Sequence, residues 1–404
     1  MDKPSSSDKR PFVGVKVLEL GSLIAGPYAG SLLAQFGAEV IKVESPKAGD
    51  PLRKWRKLHR GTSLWWYVQS RNKKSLSLDL KSATGREIVL RLATEADILI
   101  ENFRPGTLEK WGLGWEDLSA VNPKLVMVRI SGYGQTGPMR NLPGFAAIAE
   151  GMGGLRHVTG YPDRPPVRTG VSLGDTLASL YGVFGALTAL HHVRVNQGLG
   201  QVVDVALYEA VFAVMESLIP EYSLQGLVRG RTGASLPGIS PSNTYLCSDG
   251  AYVIIAANGD ALFRRLMNAI GRSDLADDPA LAHNDGRVAR NDELDAAIGD
   301  WTLRYGIDQV IETLQRSAVP VGKSFTAADI VQDLHYRARE MLDERDLPSG
   351  GPRVTIPGIV PKLSVTPGET RWLGPELGEH TNQVLTDLGF NEEVLATLRE
   401  QGVV

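Results

Sequence analysis

VKVLELGSLIAGPYAGSLLAQFGAEVIKVE, residues 15–44, decides the fold. Residues 15–20 (VKVLEL) are an apolar-rich strand, 28–36 (YAGSLLAQF) carry helical spacing, and 38–43 (AEVIKV) form a second strand closed by Glu44. Strand, helix and strand in so short a span make a βαβ unit. Further along, 83–93 has a helical pattern and 97–101 (DILIE) and 125–130 (LVMVRI) are strands. A long buried helix over 173–195, a strand at 201–205 (QVVDV) and a helix over 207–219 follow. The alternation predicts an α/β fold with a parallel sheet and helices on both faces.

The Gly/Pro/Ser-rich stretch 226–241 (GLVRGRTGASLPGISP) marks a domain boundary or a mobile loop. A hairpin-like pair around Asp249-Gly250 and two helical stretches come next, so a smaller α+β domain is expected over 226–325, after a first domain over 11–225. The remainder, 326–404, is too fragmented to fold alone and is expected to pack back on the first domain. The 404-residue length allows two or three units, and 43% hydrophobic against 22% charged residues is a globular composition, not a disordered one. A lone cysteine, Cys247, forbids an internal disulfide and makes a reducing, cytoplasmic setting the expectation. The polar start MDKPSSSDKR lacks a signal-peptide core, and the apolar window 181–190 is too short and Gly-broken for a membrane helix.

The chemistry is less local. The first turn, Gly21 to Pro27, is not GxGxxG, which disfavours NAD, and no GxxxxGK[ST] is present. Gly26 and Pro27 either only start a helix or admit a ligand to its N-terminus. A net charge of −3 argues against a dedicated nucleic-acid binder, yet 51–78 holds eight cations and no acid, with Trp55, Trp65, Trp66 and Tyr67 interleaved. That run is either a solvated basic face or the wall of a site for a phosphorylated ligand. Asn102-Phe103, after the strand 97–101, lies where α/β sites form and favours a cofactor over single-stranded nucleic acid. Asp175 opens the long helix, where an acid ordinarily serves the cap or the helix dipole. No Ser/His/Asp arrangement and no metal-ligand spacing is evident, so no metal is expected.

Taken together, the segments 15–53, 71–80 (RNKKSLSLDL), 96–118 (ADILIENFRPGTLEKWGLGWEDL), 130–138 (ISGYGQTGP), 165–175 (PPVRTGVSLGD) and 377–381 (LGEHT) resemble the class III CoA-transferases. The resemblance runs nearly end to end. It implies a Rossmann-like large domain built from both chain ends, a small α+β domain and an interlocked homodimer. It also implies reversible transfer of CoA from an acyl-CoA donor to a carboxylate, with Asp175 as nucleophile passing through a mixed anhydride and an aspartyl-CoA thioester. CoA contacts carry over to Ile24, Ala25, Asn72, Lys73, Asn102, Phe103, Arg104 and Lys110, and Tyr133 falls near the thiol end. Ile24 and Ser45 depart from the formyl-CoA transferase pattern and disfavour formyl or oxalate specificity. Residues 165–175 and the segment around 230–245 (GRTGASLPGISPSNTY) look most like members that move CoA from succinyl-CoA to small dicarboxylates, for which Arg168 or Arg231 is a candidate second-carboxylate ligand. The competing readings are a 2-methylacyl-CoA racemase, whose acid/base pair is missing from 143–147 (PGFAA), and a non-catalytic CoA-binding protein.

Overall fold

The computed structural model describes residues 9–404; the polar N-terminal residues 1–8 lie outside the described residues. A six-stranded sheet dominates the first unit: β1 Lys16–Glu19, β2 Glu39–Glu44, β3 Lys73–Ser77, β4 Ile98–Glu101, β5 Val126–Ser131 and β6 Val202–Ala206. All neighbours are parallel, and the spatial order is β3-β2-β1-β4-β5-β6. The order reverses between β1 and β4, and such a switch point opens a crevice at the C-terminal strand ends.

The strands are apolar on both faces, as a sheet covered on both sides requires. Val17, Ile98, Ile100, Val126 and Val128 join the core formed with α1 (Ala25–Gln35), while Leu18, Leu99 and Met127 face the opposite core with α2 (Ala83–Ala93). Helix α3 (Leu173–Val195) covers the first face through Ala178, Ala186, Ala189 and Leu190. The helices Thr381–Asp387 and Glu392–Glu400 contribute Leu385, Leu395 and Leu398 to the second, so the chain's end completes this unit. α3 is longer in its apolar character than the sequence window suggested: an 18-residue window of this 23-residue helix has mean hydropathy 1.3, so its length and composition would allow it to cross a bilayer. Small residues spread through it let it lie close on the sheet.

Among the described residues, the first unit comprises 9–155, 169–220 and 337–404, and the second 156–168 and 221–336. These limits depart from 226–325 because 156–168 pairs with the following loop: Gly160 bridges Gly233, and Arg231 donates to the Tyr161 and His157 carbonyls at 3.1 and 3.3 Å. In the second unit, β7 (Ser242–Leu246), β8 (Tyr252–Ala256) and β9 (Val321–Lys323) form an antiparallel sheet. The helix expected over 207–219 stops at Phe212 and restarts at Leu218, with Glu216 at φ +53° between them.

One glycine in α1 is dictated by charge. A Cβ on Gly30 would stand 2.1 Å from Oε2 of Glu19, a carboxylate buried against the helix and paired with Lys73 at 2.8 Å. Gly30→Ala is expected to destabilise the protein by about 1–3 kcal/mol through overpacking. Urea denaturation checks this, and an unchanged midpoint would contradict it.

Candidate active site

The turn between β1 and α1 is held from three sides. Asn102, just past β4, accepts from the Ser22 N–H at 2.8 Å and donates to the Ser22 carbonyl at 2.9 Å, bridging the switch point. Its Oδ1 occupies the space of a Gly21 side chain, whose Cβ would lie 2.6 Å away. Leu23 follows at φ +65°, its N–H 3.1 Å from both Asp50 oxygens and its carbonyl accepting from Gln69 Nε2 at 2.6 Å. Among the described residues, no protein group accepts from the N–H groups of Ile24, Ala25 or Gly26, and α1 has no capping side chain. The helix therefore begins with open amides, an arrangement suited to an anion or a developing oxyanion.

Asp175 stands in the first turn of α3, half-buried, where the helix dipole favours a carboxylate. Ser179, one turn on, ties it to the same place: its Oγ lies 2.7 Å from the Asp175 carbonyl and 2.7 Å from the Ala25 carbonyl. Tyr133 follows β5 at the same sheet edge, its ring 6.4 Å from that of Tyr208. The structure thus assembles Ile24, Ala25, Asn102, Phe103, Tyr133 and Asp175 in one unit, the first five along the C-terminal strand edge.

A cavity of about 350 Å³ opens beside the turn, between the ends of β1, β2 and β3 and residue Phe103. Ser22, Ser45, Lys47, Lys81 and Trp111 are among its walls. Phe103 and Trp111 meet edge to face, 5.3 Å apart, and give the cavity an aromatic wall. Lys47 and Lys81 are exposed at the rim, and Arg104 and Lys110, also exposed, adjoin Phe103 and Trp111. An aromatic wall with cations around it suits a nucleotide carrying phosphates.

Glu101 sets the Phe103 backbone, accepting its N–H at 2.7 Å, and pairs with Arg129 at 2.7 Å; Arg129 also pairs with Glu109 at 2.6 Å. Burial outweighs these partners and pushes the Glu101 pKa up to about 7. The folded protein then keeps the proton to near neutrality, whereas the unfolded chain releases it near the ordinary 4.5. The unfolded state binds fewer protons in that window, so this group's stability contribution falls as pH rises from about 4.5 to about 7 and is level above it. The difference in unfolding free energy between wild type and Glu101→Gln should follow that slope in urea titrations at several pH values; a pH-independent difference would contradict it.

Two expectations need correction. Asn72 and Lys73 line no part of the cavity, because they sit at the start of β3, away from its C-terminal end. Asn72 is buried, accepting from the Arg371 N–H at 2.7 Å and donating to the Glu369 carbonyl at 2.6 Å. Lys73 is fully buried on Glu19 and the Pro27 carbonyl. The segment 78–81, beyond the end of that strand, faces the cavity instead. The basic run divides: Lys54, Arg56, Lys57 and Arg60 are exposed, whereas Arg53, Arg71 and Lys73 are buried. Arg53 stacks 3.7 Å over Trp66 and binds Glu44 at 2.7 Å, Lys74 pairs with Glu39, and Arg71 and Arg60 donate to the Pro357 and Ser349 carbonyls. Arg53, Arg60 and Arg71 thus fasten the C-terminal segment, while the exposed Lys54, Arg56 and Lys57 form a solvated basic face. Arg168 and Arg231 belong to the second unit, where Arg168 is exposed.

Comparison with known proteins gives a consistent picture. The sequence model for CoA-transferase family III matches residues 12–381. The succinyl-CoA–D-citramalate CoA-transferase of Chloroflexus aurantiacus is 49% identical, over 99% of this chain and 100% of the relative. The succinate–glutarate CoA-transferase of Agrobacterium fabrum is 36% identical, over 94% and 96%. The crystal structure of a CAIB/BAIF family protein from Brucella suis superposes with a TM-score of 0.82 at 36% identity, covering 94% of this chain and 99% of that one.

Proposed function

Since the chain belongs to CoA-transferase family III, and is thus a class III acyl-CoA:carboxylate CoA-transferase, we propose that its donor is succinyl-CoA and its acceptor a small dicarboxylate. An Asp175 oxygen attacks the thioester carbonyl and expels CoA thiolate, leaving a mixed anhydride. The thiolate then attacks the Asp175 acyl carbon, releasing the donor as its carboxylate and leaving an aspartyl-CoA thioester. The acceptor carboxylate opens that thioester to a second anhydride, and the returning thiolate attacks the acceptor's acyl carbon, restoring Asp175. Each step is an acyl exchange at one carboxylate. The observation that carries this reading is the Ser179 hydroxyl, which lies 2.7 Å from both the Asp175 and the Ala25 carbonyls and so ties the nucleophile's turn to the start of α1, whose open Ile24 and Ala25 amides are oxyanion donors.

The CoA nucleotide occupies the cavity by Phe103 and Trp111, with Lys47, Lys81, Arg104 and Lys110 for its phosphates and Tyr133 near the thiol. Arg168 or Arg231 meets the acceptor's second carboxylate; Arg231 already donates through Nε and one terminal nitrogen to two carbonyls. The 229–240 segment serves as a lid that keeps water from the anhydride. The active species is an interlocked homodimer, working in the cytoplasm. Exposed Phe184 on α3 and exposed Leu224 are the kind of surface a second chain covers.

The test is a donor and acceptor panel followed by mass spectrometry. Succinyl-CoA with citramalate, malate, glutarate or mesaconate should give the corresponding acyl-CoA and succinate. Activity confined to monocarboxylate acceptors would overturn the dicarboxylate reading.

A further inference from the structure

We infer that Gln69 and Asp50 are positioning residues of the transfer reaction, which hold Leu23 in a left-handed conformation and so aim the Ile24 and Ala25 amides at the reacting carbonyl. The inference rests on the reading of Asp175 as nucleophile and deepens it.

Leu23 has no local reason for φ +65°. Its side chain offers no hydrogen bond to its own backbone, and a Cβ crowds the following carbonyl in this region. The conformation is imposed from outside, at both peptide faces. Asp50 takes the N–H with both oxygens and Gln69 gives its amide to the carbonyl. Both clamps are buried, Asp50 at 3% and Gln69 at 2% exposure, and Asp50 is itself fixed by Lys42 Nζ at 2.8 Å and the Leu52 N–H at 2.8 Å. The consequence falls on the next residues. The Leu23 dihedrals set the direction in which the chain enters α1, and Ile24 enters it at φ −116°, ψ −64° without side-chain capping. Strain held by surrounding groups next to unused donors is the pattern of a preorganised site, in which reorganisation is avoided at the moment of reaction.

Gln69→Met keeps length and removes the donor. With succinyl-CoA and the acceptor giving the fastest turnover in the panel, kcat should fall about tenfold or more as Leu23 relaxes to negative φ. KM for succinyl-CoA should change by less than kcat does, because Gln69 itself lines no part of the nucleotide cavity. Glycine takes positive φ without penalty, so adding Leu23→Gly to Gln69→Met should bring kcat back to within about threefold of wild type. A purely structural role predicts no such rescue. Wild-type kcat in Gln69→Met, or a loss that Leu23→Gly leaves in place, would overturn the inference. If Gln69→Met does not fold, Leu23→Val and Leu23→Gly decide, since a β-branched residue resists the left-handed region more than leucine does. Val should lower kcat well below Gly, and equal values would refute the clamp. Covalent labelling separates the two layers: equal rates of Asp175 labelling in wild type and Gln69→Met defeat the clamp alone, whereas no labelling of Asp175 in wild type defeats the nucleophile reading.

Discussion

Asp175→Asn is expected to lower CoA transfer by on the order of 10³-fold or more, as removal of a covalent nucleophile does, while leaving the fold intact. The side chain is half-buried in the first turn of a 23-residue helix whose packing comes from Ala178, Ala186, Ala189 and Leu190. An amide at this position retains the shape and can still meet the helix N-terminus. It cannot form an anhydride. Binding should therefore survive, with acyl-CoA affinity close to wild type, and the loss should appear in kcat. Initial rates together with calorimetric titration of the variant check both halves. Near-normal turnover in Asp175→Asn would refute the assignment outright.

Lys42→Met should have the largest effect on stability. Its ammonium is buried between Glu19 at 2.9 Å and Asp50 at 2.8 Å and donates to the Gly21 carbonyl at 2.8 Å. Burial by itself would lower the Lys42 pKa, but Asp50, Glu19 and Glu44 around it hold it above its ordinary value. Removing this one cation leaves buried carboxylates short of a partner, for which the cost is about 3–5 kcal/mol. That is a large part of the roughly 5–15 kcal/mol by which proteins are stable. Adding Asp50→Asn should recover part of the loss, because Asp50 is the carboxylate that loses its Lys42 partner, whereas Glu19 keeps Lys73 at 2.8 Å. Denaturant unfolding measures both variants, and a loss under about 0.5 kcal/mol for Lys42→Met would mean the network carries little of the fold.

The βαβ start and the parallel sheet were legible because strands covered on both faces are predominantly apolar, and 15–20, 97–101 and 125–130 are so. What the pattern hides is a charged residue turned inward. Glu19, Lys42, Glu44 and Lys73 look like ordinary polar positions along their strands, yet all four are buried in ion pairs. Part of the basic run from Arg53 to Lys74 was misleading for the same reason: the counter-charges of Arg53, Lys73 and Lys74 are Glu44, Glu19 and Glu39, earlier in the chain, and the acceptors of Arg60 and Arg71 are carbonyls some 290 residues later. Strand polarity, applied strictly, would have favoured 78–81 over Asn72 and Lys73, since ligands gather at the carboxyl ends of parallel strands. Asp175 alone says only that a helix begins. Its setting depends on Ser179 meeting Ala25, a contact across 154 positions that no local spacing announces.

The most direct measurement is the fate of Asp175 during turnover. Incubation with succinyl-CoA, rapid quenching with hydroxylamine and peptide mass spectrometry should find a hydroxamate on Asp175, formed from its anhydride or thioester, and none in Asp175→Asn. Sustained CoA transfer with Asp175 unmodified, or a hydroxamate on another residue, would contradict the account.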